Sequence, residues 1–242
     1  MAKLTVSAVP VLSDNYVWLI HNAETDETAA VDPSVADPVL DAAAANGLKI
    51  TQVLNTHWHP DHTGGNDGIR DATGCTVTGP KEAERVSRID HIVSEGDRVA
   101  VASSVAVVWA IPAHTSGHIA YYFEDEGMIF VGDTMFAMGC GRLFEGTAEQ
   151  MYSNMQRIAA LPDDVRIYCG HEYTLANARF AQHVEPQNRD VAERLKRVGS
   201  MRERGEITLP TTVVDERATN PFVRASDVQE FARRRADKDS FR

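Results

Sequence analysis

The sequence predicts a layered α/β domain followed by a helical region, on three observations. The first part of the chain contains short apolar runs, among them VWLIHN, TAAVDPS, TQVLNTH, VAVVWAIPAH, IAYYFE, GMIFVGDT and RIYCGHE. Runs of about four to eight residues rich in Val, Ile, Tyr and Phe are typical of strands. Helix-like segments lie between several of these runs, and strands interleaved with helices form α/β layers. After Tyr173 the apolar residues change to helical spacing.

The helices within the first region carry recognisable stop signals. One is predicted over residues 37–46 and closed by Gly47, and another over 147–161 and stopped by Pro162. Glycine commonly follows the last helical residue, and proline cannot continue a helix.

Three further helices are predicted after Tyr173, in the segments LANARFAQHVE, NRDVAERLKRVGSMRERGE and DVQEFARRRADK. A turn at residues 219–222 precedes the last of them, and Ser226 or Asp227 is well placed as its N-cap. We therefore expect a catalytic domain over residues 1–173 and a helical, substrate-binding domain over residues 174–242.

Composition narrows the class of protein. Hydrophobic residues make up 43% and charged residues 24% of the chain, and no stretch approaches the roughly 18 apolar residues of a membrane span. The first residues, MAKLTVSAVPVLSDNY, lack the long apolar core of a signal peptide. The net charge of −11 argues against nucleic acid as the main partner. We expect a cytoplasmic protein that acts as a monomer and binds neither nucleic acid nor membrane.

The cysteines predict no special chemistry. Cys75, Cys140 and Cys169 are odd in number and share no CxxC spacing, so neither a disulfide framework nor a thiolate zinc site is indicated. We expect three buried thiols.

The C-terminal segment departs from the overall charge, because residues 231–242 hold five basic and two acidic residues. A solvated helix face and an anion-binding end both explain this pattern. The segment alone does not choose between them.

The strongest motif follows the strand-like run TQVLN. It places His57, His59, Asp61 and His62 within six residues. Neutral imidazole and carboxylate are the ligands that divalent zinc and its neighbours prefer. At the period of two of an extended chain, His57 and His59 point the same way. Asp61 and His62 lie beyond the bend at Pro60 and can face a second ion.

Later strand-like runs end in further metal-competent side chains. His114 follows VAVVWAI, Asp133 follows MIFV, and His171 follows RIY. Residues at strand ends gather at one edge of α/β sheets, so we expect these side chains to meet the HxHxDH motif. Spacing alone does not choose between His114 and the nearby His118.

This set of motifs resembles the metal-binding pattern of the metallo-β-lactamase superfamily. The resemblance implies an αββα sandwich and two divalent metal ions, most of all Zn²⁺, although Fe or Mn would suit the same ligands. It also implies the role of each ligand, with His118 as a supporting group. One ion takes His57, His59 and His114, the other takes Asp61, His62 and His171, and Asp133 bridges both.

Such a centre predicts hydrolysis. Two ions about 3.5–4 Å apart hold a bridging hydroxide that is a strong nucleophile at neutral pH. No catalytic residue is then needed beyond the metal ligands, and the chain contains no GxSxG nucleophile motif.

Other segments narrow the resemblance to the glyoxalase II family, the hydroxyacylglutathione hydrolases. They are SDNY near the start, GCGRLFEG, GHEYT, NPF and the closing KDSF. These matches extend over essentially the whole chain. They imply hydrolysis of an S-(2-hydroxyacyl)glutathione thioester, such as S-D-lactoylglutathione, in methylglyoxal detoxification.

The resemblance also implies a glutathione site. Its residues would be Arg142, Phe144, Tyr173, Arg235 and Lys238. Arg142 stands where many members have Lys, and Phe144 where some have Tyr, so a hydroxyl contact is missing there. Arg235 is chosen among neighbouring arginines by its offset of three from Lys238. The basic C-terminal segment would then bind the carboxylates of glutathione.

Four alternatives remain from the sequence. A persulfide dioxygenase with one iron resembles the same family, but the GCGRLFEG loop and basic C-terminus count against it. A nuclease of the ribonuclease Z kind shares HxHxDH, but the acidic charge counts against it. The HxHxDH motif alone also allows another hydrolase of the same superfamily, because one fold hosts many reactions. A non-enzymatic metal-binding protein would explain the histidines but not the thiol-binding loop.

Overall fold

Two six-stranded sheets form the centre of the computed structural model, which describes residues 4–241. Arg242, counted above among the basic residues, lies outside the described residues. The first sheet has the strand order β1 Thr5–Val11, β2 Asn15–Asn22, β3 Glu27–Val31, β4 Ile50–Leu54, β5 Thr76–Gly79 and β6 His91–Ile92. The second has the order β14 Thr211–Thr212, β13 Arg166–Cys169, β10 Met128–Gly132, β9 Ile119–Phe123, β8 Ser104–Ala110 and β7 Arg98–Val101. A separate hairpin joins β11 Met135–Phe136 to β12 Gly139–Cys140.

The helices of the first region lie in the connections between strands, and those of the second follow β13. They are α1 Asp37–Ala45, α2 Pro60–Thr63, α3 Asn66–Thr73, α4 Ala148–Ala159, α5 Thr174–Val184, α6 Arg189–Glu203, α7 Val213–Thr219 and α8 Val228–Ser240. Across residues 4–241, each helix is too short or too polar to cross a bilayer.

The layers follow from which faces are apolar. The facing sides of the two sheets share one core, in which Trp18, Tyr121 and Phe130 are buried. The other side of the first sheet packs against α1 and α3 through Val39 and Ile69. Helix α4 adds its own apolar face to the core of the second sheet. The predicted αββα sandwich with C-terminal helices is confirmed.

Strand direction brings the loops that follow six strands to one edge of the sandwich. Strands β3, β4 and β5 are parallel, and so are β10 and β13. Strand β8 runs the same way as β10, because each is antiparallel to β9. Backbone hydrogen bonds join the sheets at this edge, from Ile119 to Thr56 at 2.9 Å and from Tyr16 to Gly170 at 2.8 Å.

The helix ends agree with their local chemistry. Thr147 is the N-cap of α4, and its hydroxyl accepts from the backbone N–H of Gln150 while the Gln150 side chain accepts in return. Of the two residues proposed to cap the last helix, Asp227 is the N-cap of α8.

The region after Tyr173 contains two elements that the sequence did not predict, α7 and β14. Strand β14 pairs with β13, so the chain returns to the second sheet. From α7, the fully buried Glu216 pairs with Arg194 at 2.8 Å and accepts a hydrogen bond from the backbone N–H of Met138 at 2.8 Å. These contacts hold the β11–β12 hairpin against the helical region.

Candidate metal centre

Seven predicted side chains meet at the shared edge of the two sheets. The short helix α2 begins at Pro60, a position that needs no backbone N–H, and it turns the chain after a five-residue connection from the end of β4. The seven are His57 after β4, His59, Asp61 and His62 around α2, His114 after β8, Asp133 after β10 and His171 after β13.

The first cluster consists of His57, His59 and His114. The Nδ1 atom of His59 lies 3.1 Å from Nε2 of His57 and 3.0 Å from Nε2 of His114. Three imidazole nitrogens converging on one point are suited to a divalent cation.

The second cluster consists of Asp61, His62 and His171. The Nε2 atoms of the two histidines lie 3.3 Å apart. Asp61 Oδ2 lies 3.6 Å from Nε2 of His62 and 3.4 Å from Nε2 of His171. This set also converges as metal ligands do.

Asp133 lies between the clusters. One carboxylate oxygen is 3.4 Å from Nε2 of His62, and the other is 3.5 Å from Nε2 of His114 and 3.2 Å from Nε2 of His171. Its side chain is buried, and Oδ1 has no hydrogen-bond partner among the described residues. A buried carboxylate oxygen without a donor is costly unless a cation neutralises it, so the residues present fit bound metal.

The protonation preferences of the two clusters differ. Burial lowers the pKa of His57 and of His114, which keeps these imidazoles in the neutral, metal-binding form. Burial alone would also lower the pKa of His171, but the carboxylates of Asp133 and Asp61 outweigh it and raise that pKa to about 10. The second cluster therefore requires a positive charge, whether a proton or a metal ion.

Close packing at two glycines keeps the clusters compact. A Cβ on Gly170 would lie 2.6 Å from His62 Cε1 and 2.7 Å from Asp133 Oδ1. Gly132 has a φ of +48°, a left-handed value that favours glycine, and it directly precedes Asp133. A side chain at Gly170 would displace His62 or the Asp133 carboxylate, and one at Gly132 would collide with the Thr56 hydroxyl and the His118 ring.

Two family models match this chain, one over the residues that form the clusters and one over the helical region that follows them. The model of the metallo-beta-lactamase superfamily matches residues 13–171, and that of the hydroxyacylglutathione hydrolase C-terminus matches residues 172–241. The hydroxyacylglutathione hydrolase of Methylococcus capsulatus is 46% identical over 99% of both chains. That of Rhodospirillum rubrum is 45% identical over 100% of both. This chain belongs to the hydroxyacylglutathione hydrolase family. The family resemblance predicted from the sequence is confirmed.

Solved structures agree on the fold of this hydroxyacylglutathione hydrolase family member. ETHE1 from Myxococcus xanthus superposes with a TM-score of 0.73 at 27% identity, over 96% of this chain and 90% of that one. The B3 metallo-beta-lactamase BLEG-1 superposes with a TM-score of 0.71 at 19% identity, over 90% of this chain and 99% of that one.

In this family member, a cleft of about 710 Å³ opens over both clusters. The five residues predicted to bind substrate all line it, together with His59, Asp61, His114, Asp133 and His171. They are Arg142, Phe144, Tyr173, Arg235 and Lys238. The structure thus brings the predicted substrate residues and five of the seven predicted metal ligands into one cavity, while His57 and His62 are buried beneath it.

Two of the cleft cations already contact an anion. Asp239 lies 2.9 Å from Arg235 and 3.6 Å from Arg142. The sequence interpretation did not include Asp239, although the KDSF segment contains it. Lys238 instead donates to the backbone carbonyl of Ala176 at 3.2 Å, and burial lowers its pKa to about 8.

The structure separates the two candidate histidines of the PAHTSGH segment. His114 lies in the first cluster, whereas Nε2 of His118 accepts a hydrogen bond from the backbone N–H of Asp133 at 3.2 Å. The His118 ring also stacks on His57, with ring centroids 4.6 Å apart. His118 therefore supports the site by contacting Asp133 and His57 and lies outside the first cluster.

Sequence interpretation missed Asp32. This buried carboxylate accepts from the backbone N–H and the hydroxyl of Thr56, both at 2.7 Å, and lies 3.1 Å from Nδ1 of His62. A signal was available, because Asp32 directly follows β3 in the same way that Asp133 follows β10. Asp14 and Asn15 also contact the second cluster, and the sequence interpretation gave them no role.

Proposed function

We propose that the protein hydrolyses S-(2-hydroxyacyl)glutathione thioesters, such as S-D-lactoylglutathione, to a 2-hydroxy acid and glutathione. In the cell this reaction would serve methylglyoxal detoxification. The observation that carries the proposal is the single cleft lined both by the two His/Asp clusters and by basic and aromatic side chains. The names of the full-length relatives support the same substrate class.

The first and second clusters would each hold one divalent ion, and Asp133 would be shared between them. Zn²⁺ is the ion we propose, and Fe or Mn would suit the same ligands. When bound, the ions would supply an activated water and polarise the thioester carbonyl. The orphaned Oδ1 of Asp133 supports this assignment.

The cleft residues would bind and orient the glutathione part of the substrate. Lys238 and Arg235 would pair with a carboxylate at its glycine end, and Arg142, which contacts the same Asp239 oxygen as Arg235, would add positive charge beside them. Tyr173 stacks on His171, with ring centroids 4.7 Å apart. Burial raises the pKa of Tyr173, so its hydroxyl stays protonated and can donate to the substrate.

Departure of the glutathione thiolate from the thioester carbonyl needs little help from the protein. A thiol such as that of glutathione has a pKa of about 8.5, so its thiolate leaves without a strong general acid. We accordingly assign no catalytic side chain beyond the proposed metal ligands.

The two parts of the chain would contribute different residues to the site. Residues 1–173 would supply the metal centre, and residues 174–242 would supply Lys238 and Arg235 for the substrate. We also propose that the protein is cytoplasmic and acts as a monomer without nucleic acid. Its three cysteines are all buried and unpaired, which suits a reducing compartment.

The test is a parallel assay on purified protein whose metal content has been measured. We expect loss of S-D-lactoylglutathione absorbance and no turnover of a β-lactam or a phosphodiester. Oxygen uptake with glutathione persulfide would instead identify a persulfide dioxygenase. Full metal loading without thioester hydrolysis would refute the proposal.

A further inference from the structure

The turn between β1 and β2 reaches into the second cluster. Asp14 Oδ1 lies 2.8 Å from Nδ1 of His171, the ring nitrogen opposite the one that faces Asp133. Its neighbour Asn15 donates through Nδ2 to Oδ2 of Asp61 at 3.1 Å and to the Asp61 backbone carbonyl at 3.2 Å. Two adjacent side chains therefore contact two members of one cluster.

The backbone holds this turn in place. The N–H of Tyr16 donates to the carbonyl of Gly170, and the N–H of Glu172 donates to the carbonyl of Asp14, both at 2.8 Å. Asn15 and His171 form an antiparallel bridge between these segments. The turn and the loop that carries His171 thus form one bonded unit.

We propose that Asp14 and Asn15 are positioning residues that act on the second metal position and leave the first unchanged. This inference rests on the proposed metal-dependent function. A carboxylate that accepts from one imidazole nitrogen fixes the tautomer in which the other nitrogen offers its lone pair to a metal, and it orients the ring. Asp14 does this for His171, and the Asn15 amide orients the Asp61 carboxylate.

The selectivity follows from the partners of the first cluster. His57 Nδ1 contacts the Thr56 hydroxyl, and His114 Nδ1 contacts the Arg142 carbonyl, both at 3.0 Å. Both partners are neutral, and both belong to parts of the chain outside the β1–β2 turn. Changing Asp14 or Asn15 therefore leaves the contacts of the first cluster intact.

Solvent access makes Asp14 the better position to vary. Its side chain is about one-third exposed, at 35%, and Ser13 also donates to its second oxygen at 2.9 Å. Asn15 is buried at 5% exposure, so its replacement carries a greater risk to folding. Asp14→Ala removes the acceptor, and Asp14→Asn keeps the shape while removing the charge.

The test is a zinc titration of metal-free protein against a chromophoric chelator, which resolves two binding steps without reference to activity. For Asp14→Ala and Asn15→Ala we expect one step weakened by about 10–100-fold and the other unchanged, as for loss of other groups that orient metal ligands. Asp14→Asn should fall between these variants and the unaltered protein. Asp41→Ala, an exposed carboxylate on α1, is the matched control and should bind both ions normally.

Equal weakening of both steps, or no change in either, would overturn the inference, as would a single binding step in the unaltered protein. Thioesterase activity of the unaltered, zinc-loaded protein is measured separately. Two binding steps with the expected selectivity but no thioesterase activity would support the positioning role and refute the proposed substrate, so the two failures are distinguishable.

Discussion

The two clusters use similar ligands in different surroundings. In the first cluster the direct partners of the imidazoles are neutral, the Thr56 hydroxyl and the Arg142 carbonyl. In the second cluster the partners are carboxylates, since Asp32 contacts Nδ1 of His62 and Asp14 contacts Nδ1 of His171. Burial dominates the first cluster, and charge compensation dominates the second.

This difference has a consequence for how each cluster would hold a cation. Neutral imidazoles in a buried pocket need no proton to be displaced, so the first cluster is ready for a metal ion. Burial would lower the pKa of His62, but Asp133 and Asp32 raise it well above its ordinary value. The second cluster is held together by negative charge, and its geometry depends on more distant parts of the chain.

The largest effect should come from removing the group that the clusters share. Asp133→Ala deletes the carboxylate within reach of both, so we expect metal binding and thioesterase activity to fall together. The loss should exceed the roughly 100-fold typical of losing a group that only orients a ligand. Metal analysis and kcat/KM measure it, with Asp125→Ala in the exposed β9–β10 turn as the control. A variant that kept both properties would show that Asp133 does not bridge.

A second change tests whether the buried Asp32 carboxylate stabilises the edge of the sheets that carries the clusters. Asp32 contacts His62 directly and reaches His57 only through Thr56. Asp32→Asn leaves at least one buried hydrogen bond unsatisfied, so we expect the metal-free protein to lose about 1–3 kcal/mol of unfolding free energy. Urea denaturation measures this loss.

The control for Asp32→Asn is Asp26→Asn. Asp26 is exposed and has a similar left-handed backbone, with φ of 56° against 53° at Asp32. If both variants unfold at the same urea concentration as the unaltered protein, the buried carboxylate does not stabilise this edge of the sheets.

A smaller effect, on KM, should come from Lys238, which lines the cleft but belongs to neither cluster. Burial, followed by the charge of Arg235, lowers the pKa of Lys238 to about 8, so the lysine is charged below pH 8 and neutral above it. If Lys238 binds a substrate carboxylate, KM should rise above pH 8 by up to about tenfold, the value of one charge-assisted hydrogen bond at a partly exposed site. Steady-state kinetics across this range measure it.

Lys238→Arg provides the control, because arginine stays charged throughout. Its KM should change little where that of the unaltered protein rises. The same rise in both proteins would assign the pH dependence to another group.

The smallest expected change is at Phe144, whose ring lies beside the first cluster, 5.2 Å from the His114 ring. Phe144→Tyr adds a hydroxyl to the cleft, the contact that the sequence resemblance implies is missing at this position. We expect KM for the glutathione thioester to fall by about two- to fivefold, within the range of one exposed hydrogen bond, with kcat unchanged. A change in kcat instead would place the ring in contact with the reacting atoms.

Short-range features of the chain were predicted well. The HxHxDH motif lies within six residues, and α4 ends two residues before the predicted limit at 161. Elements α7 and β14 were missed, since periodicity is read over about 11 or more residues. A strand of two residues, Thr211–Thr212, exists only because β13 provides its hydrogen-bonding partner.

The sequence by itself determined the family, the αββα layers and the candidate ligands, because each of these depends on local motifs and on where strands end. Tertiary structure decided what surrounds those ligands. Asp14 contacts His171 across 157 positions of the chain, and Asn15 contacts Asp61 across 46. Such contacts arise only when sheets pack and bring distant turns together, so no local pattern predicts that Asp14 contacts His171 and Asn15 contacts Asp61, whereas neutral groups contact the first cluster.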